Sequence, residues 1–471
     1  MDGASVDSAF HVAAEQLAQR WPSIVVSACL VSIAYFWLGR ARRAPYAPAS
    51  ILVPSTSTYP SKIYTSLSKV PVSKFIDDFL HWRIELRDAH SGQGLDRIAH
   101  IVSFQLDFRL AWRIARTFVT TTHSEHQDKH NMQRYVLQND SLLEQILGPD
   151  RLPLVGYIRD DVPEQLETNL GIQMERIGKE YLDLNPDDRL LDVNAQWGDL
   201  AVYLAHDYQV PTCAIVATSS QLAHASNVSG ESQVQRFMRF VTGDYRAIPQ
   251  CLPPGMPLFT KVLAFDALDT VGPRNIAKFL LSINAVMERG GRLLLQVTTT
   301  PSSLGRGPLR TPSHLRFKAD SGGRKAKKPL DATQELYDSH VPNGSLDSEQ
   351  YIADDFSSQG QEEWSEHWWY HWFRQRYIQP GTDTSMLVSI EQVMSELQRA
   401  GFEVHQVESL TTDAAMTTAV WCTRLCAAKR QIEMELGADT YRAWELYLNW
   451  TQSLYARARL HKHFVMAIKR A

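Results

Sequence analysis

The chain has 471 residues, 44% of them hydrophobic and 21% charged, and a formal net charge of −4 at neutral pH. That balance excludes a disordered chain and leaves no basic surplus for nucleic acid as a general partner. Its five cysteines, at 29, 213, 251, 422 and 426, form no CxxC pair and no cluster with zinc-ligand spacing. No metal site is expected, and the cysteine usage suits a reducing compartment.

Residues 1–20 read as an N-terminal tail. From Trp21 to Leu38 no charged residue occurs, and Arg20 on one side and Arg40, Arg42 and Arg43 on the other bound the run. A stretch of this length is predicted to cross a bilayer once, with Trp21, Tyr35, Phe36 and Trp37 at its interfaces. The arginines after it predict a cytosolic main body. The alternative reading of 21–38 is a buried helix. Segment 41–60, rich in Pro, Ser and Ala, reads as a linker. Residues 61–164 contain the helical periodicities FIDDFLHWRIEL and IVSFQLDFRLAWRIARTF, and predict a helical subdomain.

From 165 the rhythm changes. ETNLGIQMERIGKEYLDL, DLAVYLAHDY and SQLAHASNVSG are helical; RLLDV, TCAIVAT, RFMRFVTGDY and KVLAFDAL are strand-like. NIAKFLLSINAVMERGG reads as a helix closed by Gly290–Gly291, with RLLLQVTT a strand after it. Strands alternating with helices predict a parallel sheet covered on both faces, with ligands at the carboxyl ends of its strands. Asp192, Thr218, Asp244 and Asp266 fall at or just beyond such ends. Segment 302–350 is basic and rich in Gly, Pro and Ser, and reads as a flexible insertion. Trp364, Trp368, Trp369 and Trp372 follow, an aromatic density suited to a core or a greasy pocket wall. A helix (SIEQVMSELQRAG), a strand (FEVHQVESL) and two long helices close the chain.

The stretch RLLDVNAQWGDL, residues 189–200, resembles the first motif of class I methyltransferases, with two of three expected glycines replaced. The resemblance implies that the turn after Asp192 passes under the methionine part of S-adenosylmethionine (SAM). Asn194 suits a glycine position because Asn tolerates positive φ. Gln196 fills space that a glycine leaves to the ligand. Trp197 and Gly198 open the next helix. Thr218 and Ser219 could hydrogen-bond a ribose or a carboxylate, or serve only as turn residues.

Six segments in order resemble the cyclopropane-fatty-acyl-phospholipid synthase family of SAM-dependent methyltransferases. They are RYVLQND, LLDVNAQWGDLAVYLA, GDYRAIP, DALDTVGPRNIAKF, RYIQPG and YLNWTQSLYARARLHKHFVMAIKR. The resemblance implies an α/β class I methyltransferase (Rossmann-like) doubly wound sheet over 165–471, with cofactor residues Asp192, Asn194, Gln196, Trp197, Gly198, Thr218, Ser219, Asp244, Tyr245 and Arg246. The family's chemistry adds a methyl group to an alkene and then removes a proton, with bicarbonate as base. Its Cys, Glu, His and Tyr positions fall here on Val155, Asp269, Thr270 with Gln296, and Ala414. Val and Ala cannot cage an anion, so no bicarbonate is expected, and Asp269 is the candidate base. The expected activity is a membrane-anchored C-methyltransferase acting on a hydrophobic, lipid-like or polyketide-like substrate. The alternatives are a repurposed fold guiding a SAM-independent cyclisation or rearrangement, and a non-catalytic partner.

Overall fold

The computed structural model describes residues 70–84, 102–104, 140–148, 150–158, 165–244, 247–271, 275–301, 365–379 and 388–470. The apolar run 21–38, the linker 41–60, the insertion 302–350, Trp364, Tyr245, Arg246 and most of the segment 61–164 lie outside them. No helix among the described residues is long and apolar enough to cross a membrane.

Seven strands form the central sheet: β1 (Leu190–Asp192), β2 (Thr212–Val216), β3 (Met238–Thr242), β4 (Phe259–Phe265), β5 (Met287–Thr299), β6 (Phe402–Ser409) and β7 (His461–Lys469). Their order is β3-β2-β1-β4-β5-β7-β6. The first five are parallel; β7 runs antiparallel to both β5 and β6. The expectation of a parallel sheet therefore holds for β1–β5 and is corrected at the far edge. There β7 lies antiparallel between β5 and β6, reached from β6 through the long helical connection 410–460.

Side chains alternate between faces as strand geometry requires. Leu190, Leu263, Phe265, Leu294 and Phe464 enter one core, and Leu191, Val262, Ala264, Leu293, Leu295 and Val465 enter the other. Helices cover both faces. In chain order they are α1 (Val72–Leu80), α2 (140–147), α3 (Leu166–Arg176), α4 (Asp199–Tyr208), α5 (Ser219–Glu231), α6 (Ile276–Val286), α7 (365–373), α8 (Ile390–Arg399), α9 (Thr411–Ala427), α10 (Lys429–Leu436) and α11 (Ala438–Ala456). Leu200 and Leu204 of α4 join the first core, while Ile276 and Phe279 of α6 join the second. The pattern expected as one helix over 167–184 divides into α3 and a π-helical turn, Ile177–Leu182.

Gly290 and Gly291 do not stop a helix. α6 ends at Val286, Met287 is already extended, and both glycines lie inside β5. Gly291 is there because β4 is close: a Cβ would stand 2.9 Å from the Thr260 carbonyl oxygen. The two closing helices expected are three, because α10 intervenes between α9 and α11.

The described N-terminal pieces share the first core. Val70–Pro71 pairs in parallel with Val102–Ser103, and Phe75, Ile76 and Phe79 of α1 are buried in it. Arg442 of α11, 2% exposed, holds this segment. Its Nε donates to the Phe79 carbonyl at 3.0 Å and its Nη2 to the Ile84 carbonyl. Its Nη1 donates to Glu445 at 2.6 Å, and the guanidinium lies 3.7 Å from the Phe79 ring centroid and 4.4 Å from that of Trp82. Arg442→Ala strands the Glu445 carboxylate and two carbonyls. Breaking such a buried pair costs about 3–5 kcal/mol. Urea unfolding is expected to show that loss, with hydrogen exchange rising first over 72–84; a loss below about 1 kcal/mol would show the contact to be incidental.

Candidate functional site

Because α4 and α6 leave the sheet toward opposite faces, a crevice opens between the carboxyl ends of β1 and β4. Asp192 ends β1 there, 3% exposed. Among the described residues its carboxylate has one hydrogen bond, accepted from the Asn194 backbone N–H at 3.2 Å. Burial pushes its pKa up to about 7, against the lowering by that bond.

The turn from Val193 to Gly198 differs from the sequence expectation in one respect. Asn194 is not the left-handed residue; Gln196 is, at φ 52, followed by Gly198 at φ 89. Asn194 instead donates its side-chain Nδ2 to the Phe265 carbonyl at 2.8 Å, bridging the two strand ends across the crevice. Gly198 is required twice over: its φ is left-handed, and a Cβ would stand 2.7 Å from that of Ala225. Trp197 is buried, and its Nε1 donates to Asp140 at 2.9 Å. Asp140, on α2, also accepts from Ser220, so α2 clamps the outside of the turn. Sequence reasoning passed over Asp140, though it ends the RYVLQND segment that signals the family.

At the end of β2, Thr218 is the N-cap of α5: its hydroxyl accepts from the Gln221 N–H at 3.2 Å, and Gln221 reaches back to the Ala217 N–H at 2.9 Å. Ser219 beside it is exposed. Asp244 follows β3, and its carbonyl accepts from the Ala247 N–H at 2.8 Å. Tyr245 and Arg246 lie outside the described residues.

The carboxyl end of β4 carries a second group of charges. Asp266, at φ 54, accepts from the Gln296 Nε2 at 3.1 Å and from the Lys462 Nζ at 2.5 Å. Asp269 sits in the one-turn helix Leu268–Val271 and accepts from the Thr298 N–H at 3.0 Å. Its other oxygen is 4.0 Å from the Lys462 Nζ. Burial raises the Asp269 pKa, with Lys462 opposing and Asp266 adding to the rise. Burial works against the Lys462 charge, but Asp266, Tyr455 and Asp269 outweigh it, so its pKa is raised. Lys462 was silent in the sequence, one lysine in the closing strand. Thr298 and Lys462 are cross-strand partners in the β5–β7 register, which is why their side chains meet at 3.0 Å.

The family's other positions are apolar or amide. Val155 and Ala414 are both buried in the first core, and their segments are neighbours: the Gly156 N–H donates to Thr417 and the Ile158 N–H to Asp413. Gln296 is buried, with its Oε1 unpartnered.

The aromatic run folds as α7 and packs on α11. Tyr370 stacks on Tyr447, meets Trp450 edge-on and hydrogen-bonds Thr451 at 2.9 Å. On the same helix His367 and His371 place their Nε2 atoms 2.8 Å apart, and burial keeps both rings neutral, with His367 lowered to about 4. Just beyond the helix, the Arg374 charge reaches both His371 and Asp269.

These groups fit an adenosyl sulfonium in their charge. Asp192 is desolvated with one compensating donor, and a cationic ligand would supply what it lacks. The fit is weaker at β2, where Ala217 and Thr218 offer no carboxylate to ribose hydroxyls, and at Gln196, a left-handed residue where the family has glycine.

Comparison with known proteins places this geometry in a family. Residues 124–464 match the family described as mycolic acid cyclopropane synthetase. The chain is 22% identical over 398 residues to Sphingolipid C9-methyltransferase A of Emericella nidulans, covering 82% of this chain and 63% of that protein. It is 21% identical to the "Probable fatty acid methyltransferase" of Mycobacterium tuberculosis, over 80% of this chain and 70% of that one. This chain thus spans less than two thirds of the sphingolipid enzyme's length. Mycolic acid cyclopropane synthase CmaA1 complexed with SAH and CTAB superposes with a TM-score of 0.53 at 18% identity, covering 72% of this chain and 98% of that one. The cyclopropane synthase MmaA2 from Mycobacterium tuberculosis gives 0.53 at 17%, with the same coverage. These superpositions establish the class I methyltransferase fold, with its mixed sheet. With the family match over 124–464, the chain belongs to the mycolic acid cyclopropane synthetase family.

Proposed function

We propose that this chain is a SAM-dependent C-methyltransferase acting on an unsaturated carbon of a lipid chain, anchored to a membrane by residues 21–38 with its main body on the cytosolic side. Family membership and the lipid methyltransferases among its relatives support the reading. The observation that carries it is Asp192, a desolvated carboxylate kept at the crevice where strand order reverses. When bound, SAM supplies an electrophilic methyl group on a sulfonium. Asp192 and Asp244 hold the cofactor's polar groups from β1 and β3, and Gly198 lets the turn close against α5. Asp269, beside the Lys462 ammonium, takes the proton that the methylated chain must lose. Trp368, Trp369, Tyr370 and Phe373 of α7 are buried and keep water from this side.

A second reading, a scaffold that guides a SAM-independent rearrangement, is favoured by one observation. Asn194 spans the crevice to the Phe265 carbonyl, at the strand ends where a cofactor would sit.

Two measurements decide. Because the Asp192 pKa lies above its unfolded value of about 4, the free protein loses stability as pH rises from there to about 7. A cation that favours the ionised carboxylate reverses this, releasing a proton on binding. Calorimetric titration is therefore expected to show SAM affinity rising up to about tenfold from pH 6 to 7 and levelling above, with Asp192→Asn weaker and flat. No binding at millimolar SAM removes the transferase reading. Labelled-methyl transfer to unsaturated lipids is expected in the wild type and to fall by about 100-fold or more in Asp269→Asn. Gln196→Gly relieves a left-handed residue worth about 1 kcal/mol and is expected to bind SAM more tightly; looser binding would mean that the glutamine itself serves the ligand.

A further inference from the structure

We propose that Lys462 is a positioning residue whose buried ammonium, lodged between Asp266 and Asp269, holds the Asp269 carboxylate in place and in its charged form. The proposal rests on the methyltransferase reading for its catalytic meaning, and on geometry for its existence. Lys462 is 5% exposed. Its Nζ has three oxygen neighbours on three different elements: Asp266 Oδ1 at 2.5 Å beyond β4, Thr298 Oγ1 at 3.0 Å on β5, and Asp269 Oδ2 at 4.0 Å on the one-turn helix.

Such an ammonium cannot be a passive surface charge. Removed from water, it is tolerable only because two carboxylates and a hydroxyl surround it. The dependence is mutual. Asp269 is nearly as buried, and burial alone favours its protonated form. The groups facing this triad come from every neighbouring element: Asp266 from β4, Tyr455 from α11 and Arg374 from the segment after α7. His461 and His463 flank Lys462 on its own strand and face the other side of the sheet, where His463 meets Thr299 at 3.1 Å. Lys462 is thus the cation seated directly between the carboxylates, with Arg374 acting on Asp269 from one side only.

The role is chemically specific. A base that removes a proton from a carbon chain beside it must be ionised before the chain arrives. In the step proposed, the C–H electron pair forms the new double bond of the methylated chain and the proton passes to an Asp269 oxygen. Lys462 keeps the acceptor ready without touching the substrate.

The test uses two variants with opposite signs, in the full chain. Lys462→Met removes the cation, so Asp269 keeps its proton to higher pH. The acidic limb of the pH–kcat profile is expected to move up by one pH unit or more, with KM for SAM little changed. Asp266→Asn removes a competing carboxylate and leaves the ammonium to Asp269, so the same limb is expected to move down. A merely structural lysine would lower activity in both variants without moving the limb in opposite directions, and that result overturns the proposal. Titration of the Asp269 carboxyl by carbon NMR, identified by its absence in Asp269→Asn, gives the same two shifts without any turnover. If Lys462→Met does not fold, Lys462→Gln, which keeps a donor beside Asp266 without the charge, is expected to give the same upward shift, and its absence overturns the proposal. If the wild type transfers no methyl group, the function proposed above fails while the carboxyl titrations still decide the role of Lys462.

Discussion

The reversal of strand order between β1 and β4 is the constraint on which the rest of the molecule turns. α4 must leave toward one face and α6 toward the other, so no helix can cover the carboxyl ends of these two strands. Its rim is polar, because the carboxylates of Asp192 and Asp266 stand at the two strand ends. In this chain Asn194 ties the two turns together through the Phe265 carbonyl, and Asp192 and Asp266 stand on either side. Lys462 answers the charge of the second carboxylate from within, whereas among the described residues the first has only the Asn194 N–H. The two ends of one crevice are thus electrostatically different.

The contrast with the family's implied chemistry sharpens this. A bicarbonate base needs donors around an anion, and the positions expected to supply them are Val155, Ala414, Asp269, Thr270 and Gln296. The first two are apolar and buried. Where an anion would need a cage, this protein has a carboxylate with its own built-in counter-ion. On the proposed reading the proton acceptor is a side chain of the fold in place of a diffusible ion, and its neighbourhood is set by strand register, β5 against β7.

Local pattern made much of the fold legible. DLAVYLAHDY matches α4 because Asp stands in its first turn and Gly198 begins it in the left-handed conformation. RLLDV and KVLAFDAL resolve as β1 and β4 because short apolar runs between turn residues have few other uses. Failures came where the cause lay elsewhere in the chain. Gly290–Gly291 looked like a helix stop, yet Gly291 answers to the carbonyl of Thr260 on the next strand. Asn194 was read as the left-handed residue by its propensity, but its amide was engaged across the crevice and the strain fell on Gln196. The pair His367 and His371 was visible as HWWYH, and its burial was not, since only packing on α11 closes that face. Lys462 and Asp140 could not be read at all, because their partners lie 164 to 196 residues away for the one and 57 to 80 for the other.

The contact between Arg442 and the Phe79 carbonyl joins positions 363 residues apart. During synthesis residues 72–84 are made long before α11 exists, so these carbonyls have water for partners until it does. The first core around α1 is therefore completed late, by a helix whose arginine lies 363 residues downstream.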